Sequence, residues 1–249
     1  MTIRHLASGV SALAFAAALL GATAANATEG YFQTGYGTIQ KAQSGAGVAN
    51  PEDAMSLSVN PAGLVSVGNQ FSAAFTLFSP LRDVTATGAG GMLPEGKTTS
   101  GSDLFLMPNM AYSRQIDAQS AWGVAMYGNG GMNTDWPGMT RTDGMCGPGT
   151  GLFCGGASGV NLEQMFLTAG YARKMGDFSI GVAPVVAIQK FRADGLGAFT
   201  TASADAGDLS NRGDDWAYGA GVRVGMQWNL TPTFRVGLTG QTPIWSTKF

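Results

Sequence analysis

The chain has little charge and almost no histidine. Only 12% of its 249 residues are Asp, Glu, Lys or Arg, against about 25% in typical globular domains. The formal net charge is −2, so nucleic acid is not expected as a partner. The single histidine is His5, in a segment that we expect to be removed. A Ser-His hydrolase is therefore excluded within the rest of the chain.

Long apolar runs are missing as well. After Ala27 there is no run of about 18 apolar residues, so no transmembrane helix is expected. The mostly apolar stretch 11–22 follows Arg4 and is about as long as a signal-peptide core. Residues 25–27, Ala-Asn-Ala, fit a small-x-small cleavage site. We predict that residues 1–27 are a secretory signal peptide, with a membrane anchor as the alternative.

Cysteine is scarce too, and the two that occur are Cys146 and Cys154. Export favours a disulfide between them, and the Gly- and Pro-rich segment that separates them can turn tightly. Two thiolates alone do not make a usual zinc site. The acidic loop 193–215 matches no EF-hand spacing, so we expect a solvated loop rather than a cation site. No metal and no cofactor are expected.

Glycine, by contrast, is abundant, with 38 residues in 249, roughly double the usual share of about 7%. It alternates with apolar residues in the segment 216–228, "WAYGAGVRVGMQW". One face of this strand carries aliphatic residues with aromatic residues at both ends, as a lipid-facing strand does, and the other face is small and polar. A soluble sandwich would also alternate, but it would not need aromatics at both ends of the same face.

The same period of two predicts about seven strands. They cover residues 69–79, 103–116, 120–130, 163–173, 178–192, 216–228 and 234–241. Pro108 and Pro184 fall inside two of them, and we expect a bulge or kink at each. Short turns alternate with long Gly- and Ser-rich loops, which is the arrangement of outer-membrane barrels.

The sequence thus predicts an all-β fold, a transmembrane antiparallel β-barrel formed by residues 67–249. Single-chain bacterial barrels use an even number of strands, so we expect this one to be incomplete. Residues 28–66 are Gly-rich and carry short helical patterns, which favours an N-terminal hatch inside the barrel. A flexible periplasmic tail is the alternative. Within the hatch, Pro61 removes a backbone donor and Gly63 permits a bend.

Five segments carry a resemblance to a known family. They are "GYFQTGYG", "AQSGAGVA", "DAMSLSVNPAG", "FLMPNMAYS" and "WGVAMYGNGGMNT". Together they resemble the FadL/TodX family, outer-membrane transporters of long-chain fatty acids and other hydrophobic compounds, and the triplet Asn60-Pro61-Ala62 is the most specific sign. The resemblance implies a Gram-negative outer-membrane barrel of about fourteen strands, monomeric when full length, of which this chain supplies about half. It also implies passive transport, with capture near the outer loops, a tighter site inside, and sideways exit after the hatch moves.

The resemblance also assigns candidate residues in the N-terminal part. Tyr31 and Phe32 match the place where the start of the family's chain reaches the ligand, and hatch packing is the alternative reading. Residues 60–63 (Asn60, Pro61, Ala62 and Gly63) are predicted to position and gate the hatch, since proline fixes the backbone more than it contacts a ligand.

Basic residues are the candidates for a fatty-acid carboxylate. The resemblance points to the region of Lys190 and Arg192, and a cation there would pair with an anionic head group. Both residues, however, share strand parity with Val186 and Ile188, which favours interfacial cations as the alternative. Arg223 has the inward parity, with a lumen ion pair as its alternative.

Transport of hydrophobic molecules is therefore the predicted function, with a structural or adhesive outer-membrane barrel as the alternative. The predicted hatch favours transport because an adhesin needs no gated lumen. No paired-carboxylate constellation stands out, so an enzyme is not expected. The expected partners are a hydrophobic small molecule and outer-membrane lipid.

Overall fold

The computed structural model describes residues 30–91, 93–141, 146 and 149–249. The predicted signal peptide, residues 1–27, lies outside the described residues. All the elements below belong to one compact unit, Tyr31–Phe249. In the described part of the chain, no helix is long and apolar enough to cross a membrane.

The strands form one large antiparallel sheet and one small hairpin. In chain order they are β1 Gln70–Phe78, β2 Asp83–Ala86, β3 Gly96–Thr99, β4 Phe105–Gln115, β5 Ser120–Trp136, β6 Ser158–Met175, β7 Phe178–Asp194, β8 Asp215–Thr231, β9 Phe234–Gln241 and β10 Trp245–Ser246. The large sheet has the order β1-β4-β5-β6-β7-β8, with β9 and β10 both paired to β8, while β2 pairs only with β3. The large sheet curls into part of a barrel.

The helices are short, and most of them precede the first strand. They are α1 Gly37–Ala42, a 3-10 helix Ala54–Ser58, a second 3-10 helix Pro61–Gly63 and α2 Leu64–Val67. A third 3-10 helix, Gly197–Ala202, lies in the connection between β7 and β8. Residues 30–68, which contain the first four helices, are called the N-terminal segment below.

The two faces of the large sheet differ in the way that a membrane barrel requires. On β8, Trp216 and Trp228 are each 52% exposed, and the apolar residues between them on the same face are also exposed. The alternate residues, among them Gly219 and Gly225, are buried. We call the exposed apolar side the outer face and the buried side the inner face. Exposure of the apolar face is the arrangement that lipid stabilises and water does not.

All seven predicted strands correspond to long strands of the sheet. The largest difference lies at β5 and β6, which continue to Trp136 and begin at Ser158. The added parts are rich in Gly, Asn and Thr and lack alternation, so period two could not find them. The β2–β3 hairpin was also missed, because each of its strands has four residues.

Of the predicted bulge or kink at Pro108 and Pro184, the bulge is wrong and the kink stays a prediction. Pro108 pairs with Phe75 in an unbroken register, and Pro184 pairs with Val222 in the same way. On the other side of β7, the ladder with β6 keeps its register but has no pairs between Thr168–Val185 and Tyr171–Val182, the stretch that contains Pro184. The register shifts lie instead between Gly128 and Gly130, and near the end of β8. A proline removes one ladder hydrogen bond without adding a residue to the strand, so the register can continue through it.

Candidate functional site

The N-terminal segment packs against the inner face where two pairs of glycines face each other. Gly123 of β5 is the register partner of Gly170 of β6, and a Cβ at Gly170 would overlap Leu57. Gly181 of β7 is the partner of Gly225 of β8. A Cβ at either of the latter two would overlap the Asn60–Ala62 stretch. The segment therefore lies directly on main-chain atoms of the wall, and no larger residue fits between them.

We call this contact between the N-terminal segment and the paired glycines the glycine seat. The bonds of Asn60 explain why the Asn-Pro-Ala sequence is needed there. Its side chain is fully buried, and its Oδ1 accepts the N–H of Ala62 at 3.0 Å, which caps the second 3-10 helix. Its Nδ2 donates to the carbonyls of Val48 at 2.7 Å and Met226 at 3.1 Å. Pro61 stands at the first helical position, where its missing N–H costs nothing. One amide thus caps a helix and joins the segment to β8.

Gly63 acts through its size rather than its flexibility. Its φ is −68°, which any residue adopts, so the expected special bend is wrong. A Cβ there would lie 2.7 Å from Cβ of Pro51. The absent side chain permits this close packing within the segment.

Arg223 is the inward-facing cation that the strand parity predicts. Its Nη1 donates to the carbonyl of Ser58 and to the hydroxyl of Tyr127, and its Nη2 donates to Oε1 of Gln241. Among the described residues no carboxylate lies within ion-pair distance of Arg223. The expected lumen ion pair is therefore not found there, and Arg223 instead links the wall to the first 3-10 helix through neutral acceptors.

Beside Arg223 lies a cluster of aromatic rings. Tyr127 is fully buried, and its ring centroid is 4.3 Å from that of Tyr36 and 5.8 Å from that of Phe166. The cluster joins the N-terminal segment to β5 and β6. The cluster is apolar apart from two hydroxyls, and both are engaged: that of Tyr127 accepts from Arg223 and that of Tyr36 donates to Asn129.

The start of the segment lies where the wall is incomplete. The β4–β5 ladder ends at the pair Asn109–Tyr127, although β5 continues and stays paired with β6. Beyond this end, Phe32 forms a bridge with Gly130, and Gly131 donates its N–H to the carbonyl of Tyr31 at 2.9 Å. Residues 31 and 32 thus pair with β5 just past the end of its ladder with β4, next to the bulge. Whether they contact a ligand stays a prediction.

A row of polar side chains crosses the inner face at the same level. Tyr36 donates its hydroxyl to Oδ1 of Asn129 at 2.6 Å. Asn129 donates to Gln164 at 3.2 Å, and Gln164 donates to Gln189 at 2.6 Å. Sequence reasoning missed this row. Each strand contributes a single amide side chain, and the three amides form a row only when the register between the strands is known.

Lys190 and Arg192 lie on the outer face. The register of β7 shows no shift near them, so they keep the parity of Val186. Lys190 forms an ion pair with Glu163 at 3.0 Å, and Arg192 pairs with Asp194 at 3.0 Å. Their role as ligand contacts stays a prediction, and the inward turn that it needs is not present.

The two long loops β5–β6 and β7–β8, called the outer loops below, are held by a disulfide within the first and by contacts between the two. Cys146 and Cys154 form a disulfide with a Cα–Cα distance of 5.0 Å. Next to it, Phe153 accepts the N–H of Ala198 at 2.6 Å on its carbonyl, and its ring lies 5.4 Å from that of Phe199. The β5–β6 loop is thereby joined to the β7–β8 loop. The described residues contain no group of three or more His, Cys, Asp or Glu side chains that could hold a metal.

A curled antiparallel sheet with a lipid-type outer face and a chain segment seated against its inner face defines an outer-membrane β-barrel protein. The family described as "Outer membrane protein transport protein (OMPP1/FadL/TodX)" matches residues 14–244. The chain belongs to this family.

Solved structures agree in fold. The Pseudomonas putida toluene transporter TodX is similar with a TM-score of 0.61 and 17% identity, over 80% of this chain and 53% of that one. A Pseudomonas aeruginosa FadL homologue gives 0.59 and 15%, over 86% and 53%. A TodX deltaS2S3 mutant, titled a monoaromatic hydrocarbon channel, gives 0.59 and 16%, over 82% and 54%. This chain thus spans about half the length of these relatives. No curated protein matches it closely enough to count as a relative.

Proposed function

We propose that the protein carries hydrophobic molecules passively through the outer membrane and that the N-terminal segment is the hatch that closes its lumen. The observation that carries this proposal is the seating of the segment on paired glycines of the inner face. A structural or adhesive barrel, which only displays its loops, does not need a segment packed against its inner face. Because the chain spans about half of its solved relatives, the activity belongs to the whole protein.

Three places along the chain support a path for an apolar ligand. Phe153 and Phe199 offer an apolar capture surface on the outer loops, and Phe199 is 47% exposed. The ring cluster of Tyr36, Tyr127 and Phe166 supplies the inner contact. The unpaired end of the β4–β5 ladder then offers a sideways exit, with the N-terminal residues as its cover.

The substrate class includes neutral hydrocarbons and long-chain fatty acids. TodX, a solved relative, is titled a toluene transporter, and the apolar contacts above suit either class. A fatty acid adds a carboxylate, and Arg223 is a cation of the inner face that lies beside the ring cluster and has no acidic partner among the described residues. We propose Arg223 as the residue that an anionic ligand meets, in preference to Lys190, which already pairs with Glu163.

Uptake by whole cells tests the proposal. The full-length protein is produced in a Gram-negative host without its own members of the family, and accumulation of labelled oleate and of labelled toluene is measured. We expect uptake of at least one compound above the empty-vector strain. Uptake equal to the vector strain, with binding of cells to surfaces lost on deletion, would instead support the adhesive barrel.

A matched pair of variants tests the hatch itself. Gly225→Val fills the seat of Asn60, whereas a Cβ at Gly240 meets nothing within 4 Å. Gly225→Val is expected to admit large polar antibiotics that an intact outer membrane excludes, and Gly240→Val is not. Equal resistance of the two variants would contradict the hatch.

A further inference from the structure

The outer face carries an apolar groove with a volume of about 480 Å³. It crosses five strands, and among the residues that line it are Phe71, Tyr112, Val124, Leu167, Ala169 and Pro184. Its size is within the range of about 300–1,000 Å³ typical of small-molecule sites.

Small residues between large ones create the groove. Phe71, Tyr112, Val124 and Ala169 follow one another as register partners across β1, β4, β5 and β6. Ala169 contributes only a methyl group, and on the next strand Pro184 presents a compact ring. The neighbouring row, which contains Leu167, is bulky, so the floor lies at Ala169 and Pro184 and the larger side chains form the sides.

Two arginines lie on the same face toward the short turns. Arg114 is two residues beyond Tyr112 and is the register partner of Trp122. Arg173 is two residues beyond Tyr171 and is the partner of Ser120. Both are exposed. In the part of the chain that the structure describes, neither has a carboxylate within ion-pair distance.

Among the described residues, the nearby acid Asp117 forms no ion pair with either arginine. Asp117 lies in the β4–β5 turn and interacts electrostatically with Arg173. Its Oδ1 accepts the N–H groups of Gln119 and Ser120, each at 2.7 Å, and these bonds hold the carboxylate in the turn. The two guanidinium groups therefore remain available to an external anion, and phosphate oxygens suit the guanidinium fork.

Aromatic side chains separate the arginines from the groove. The rings of Tyr112 and Trp122 lie 5.7 Å apart in an edge-on arrangement, and Tyr171 donates its hydroxyl to Ser120 at 3.1 Å. Tyr and Trp mark the level of lipid head groups, and short turns mark the periplasmic end. The groove thus lies at acyl-chain depth, and the arginines lie at phosphate depth in the periplasmic leaflet.

We propose that this surface, Arg114 and Arg173 with the groove at Ala169, binds one glycerophospholipid of the periplasmic leaflet. An acyl chain occupies the groove, and the phosphate accepts hydrogen bonds from the two guanidinium groups. The two unpaired charges favour a phospholipid over a transported hydrocarbon, which has no group for them to bind. The site does not depend on the proposed transport.

Native mass spectrometry of the full-length protein tests the site. The protein is released from outer membranes in mild detergent and titrated with phosphatidylglycerol or with diacylglycerol of the same acyl chains. The unchanged protein is expected to retain phosphatidylglycerol about tenfold more tightly than diacylglycerol, since charge-assisted hydrogen bonds are the strong ones. Arg114→Gln with Arg173→Gln is expected to remove this difference.

Matched variants separate the phosphate contact from the groove. Lys174→Gln removes a neighbouring charge on the opposite face and is expected to change nothing. Ala169→Phe fills the groove and is expected to weaken both lipids about tenfold, whereas Val224→Phe, on the outer face of β8 and away from the residues that line the groove, is not. If the double Gln variant does not fold, the single variants Arg114→Gln and Arg173→Gln replace it, and each is expected to reduce the difference between the two lipids.

Three results would overturn the proposal. The first is equal retention of the two lipids by the unchanged protein. The second is undiminished phosphatidylglycerol binding by the double Gln variant or by Ala169→Phe. The third is retention of labelled toluene or oleate in the groove without competition from phosphatidylglycerol, which would assign the groove to the transported compound.

Discussion

Gly181 and Gly225 face each other across β7 and β8, and the space that their side chains would fill is occupied by the Asn60–Ala62 stretch. At this point the N-terminal segment packs directly against main-chain atoms of the wall. Glycine loses more conformational entropy on folding than any other residue, so two glycines in register lower the stability of the strands. They are explained by the close approach that they permit.

Gly181→Val is therefore expected to lift the second 3-10 helix from the wall. Overpacking of this kind costs about 1–3 kcal/mol. Hydrogen exchange at residues 53–63 checks it, with faster exchange expected there and unchanged exchange in β5 and β6. Gly240→Val is the control, and equal protection in both variants would contradict the seat.

Asn60→Ala removes the cap and both bonds to neighbouring carbonyls. Leaving such buried partners unsatisfied costs about 1–3 kcal/mol. The expected result is a lower midpoint for unfolding of the N-terminal segment in urea, followed by the fluorescence of a probe attached to that segment. Asn50→Ala is the control, because Asn50 is exposed and its amide donates to Glu52 at 2.6 Å. An equal shift in the two variants would show that Asn60 does not hold the segment.

Arg223→Leu is expected to free the first 3-10 helix from the wall, because the carbonyl of Ser58 loses its donor. Protease cleavage within residues 53–68 should then become faster. Arg235→Leu serves as the control, since Arg235 bonds Asn229 at 2.6 Å and not the N-terminal segment. Cleavage at the original rate in Arg223→Leu would mean that the glycine seat alone secures the helix.

Removal of the disulfide by Cys146→Ser with Cys154→Ser is expected to loosen the outer loops. The cysteines are 8 residues apart, for which loop-closure entropy gives a stabilisation of roughly 2–3 kcal/mol. Limited proteolysis should show faster cleavage in residues 140–157. The barrel itself should keep its heat-modifiable migration on gels, because its ladders do not involve this loop. Cleavage that stays slow would show that the Phe153–Phe199 contact suffices.

Acid is expected to loosen the β2–β3 hairpin. The hydrogen bond from Lys97, followed by that from Thr99, lowers the pKa of Asp83, and Lys97 lies 2.9 Å from this carboxylate. A lowered folded-state pKa gives stability that is present above the unfolded value of about 3.9 and is lost as the pH falls through the folded value. The protection factors of the hairpin amides, corrected for the intrinsic pH dependence of exchange, should therefore fall below about pH 4. Lys97→Met should reduce this pH dependence, and an identical profile in that variant would contradict it.

Period-two alternation was enough to find the seven long strands and to tell the outer face from the inner face. Successive residues of a strand point to opposite faces, so the polarity of each residue indicates which face it is on. It also placed Arg223 inward and Lys190 outward. It could not pair Gly181 with Gly225 or align Asn129 with Gln164, since those relationships depend on the register between strands. Gly63 shows a related limit: a glycine looks the same in sequence whether it is needed for its backbone angle or for its lack of volume.

The glycine seat has a mechanical consequence. At Gly181 and Gly225 the contact is made of shape alone, with no side chain on the wall that could be titrated, screened by salt or modified. Ionic strength therefore has little hold on this contact. A ligand or side chain that occupies the same space would displace the segment. A substitution that enlarges residues 60–62 would need compensating changes on two strands of the wall, β7 and β8.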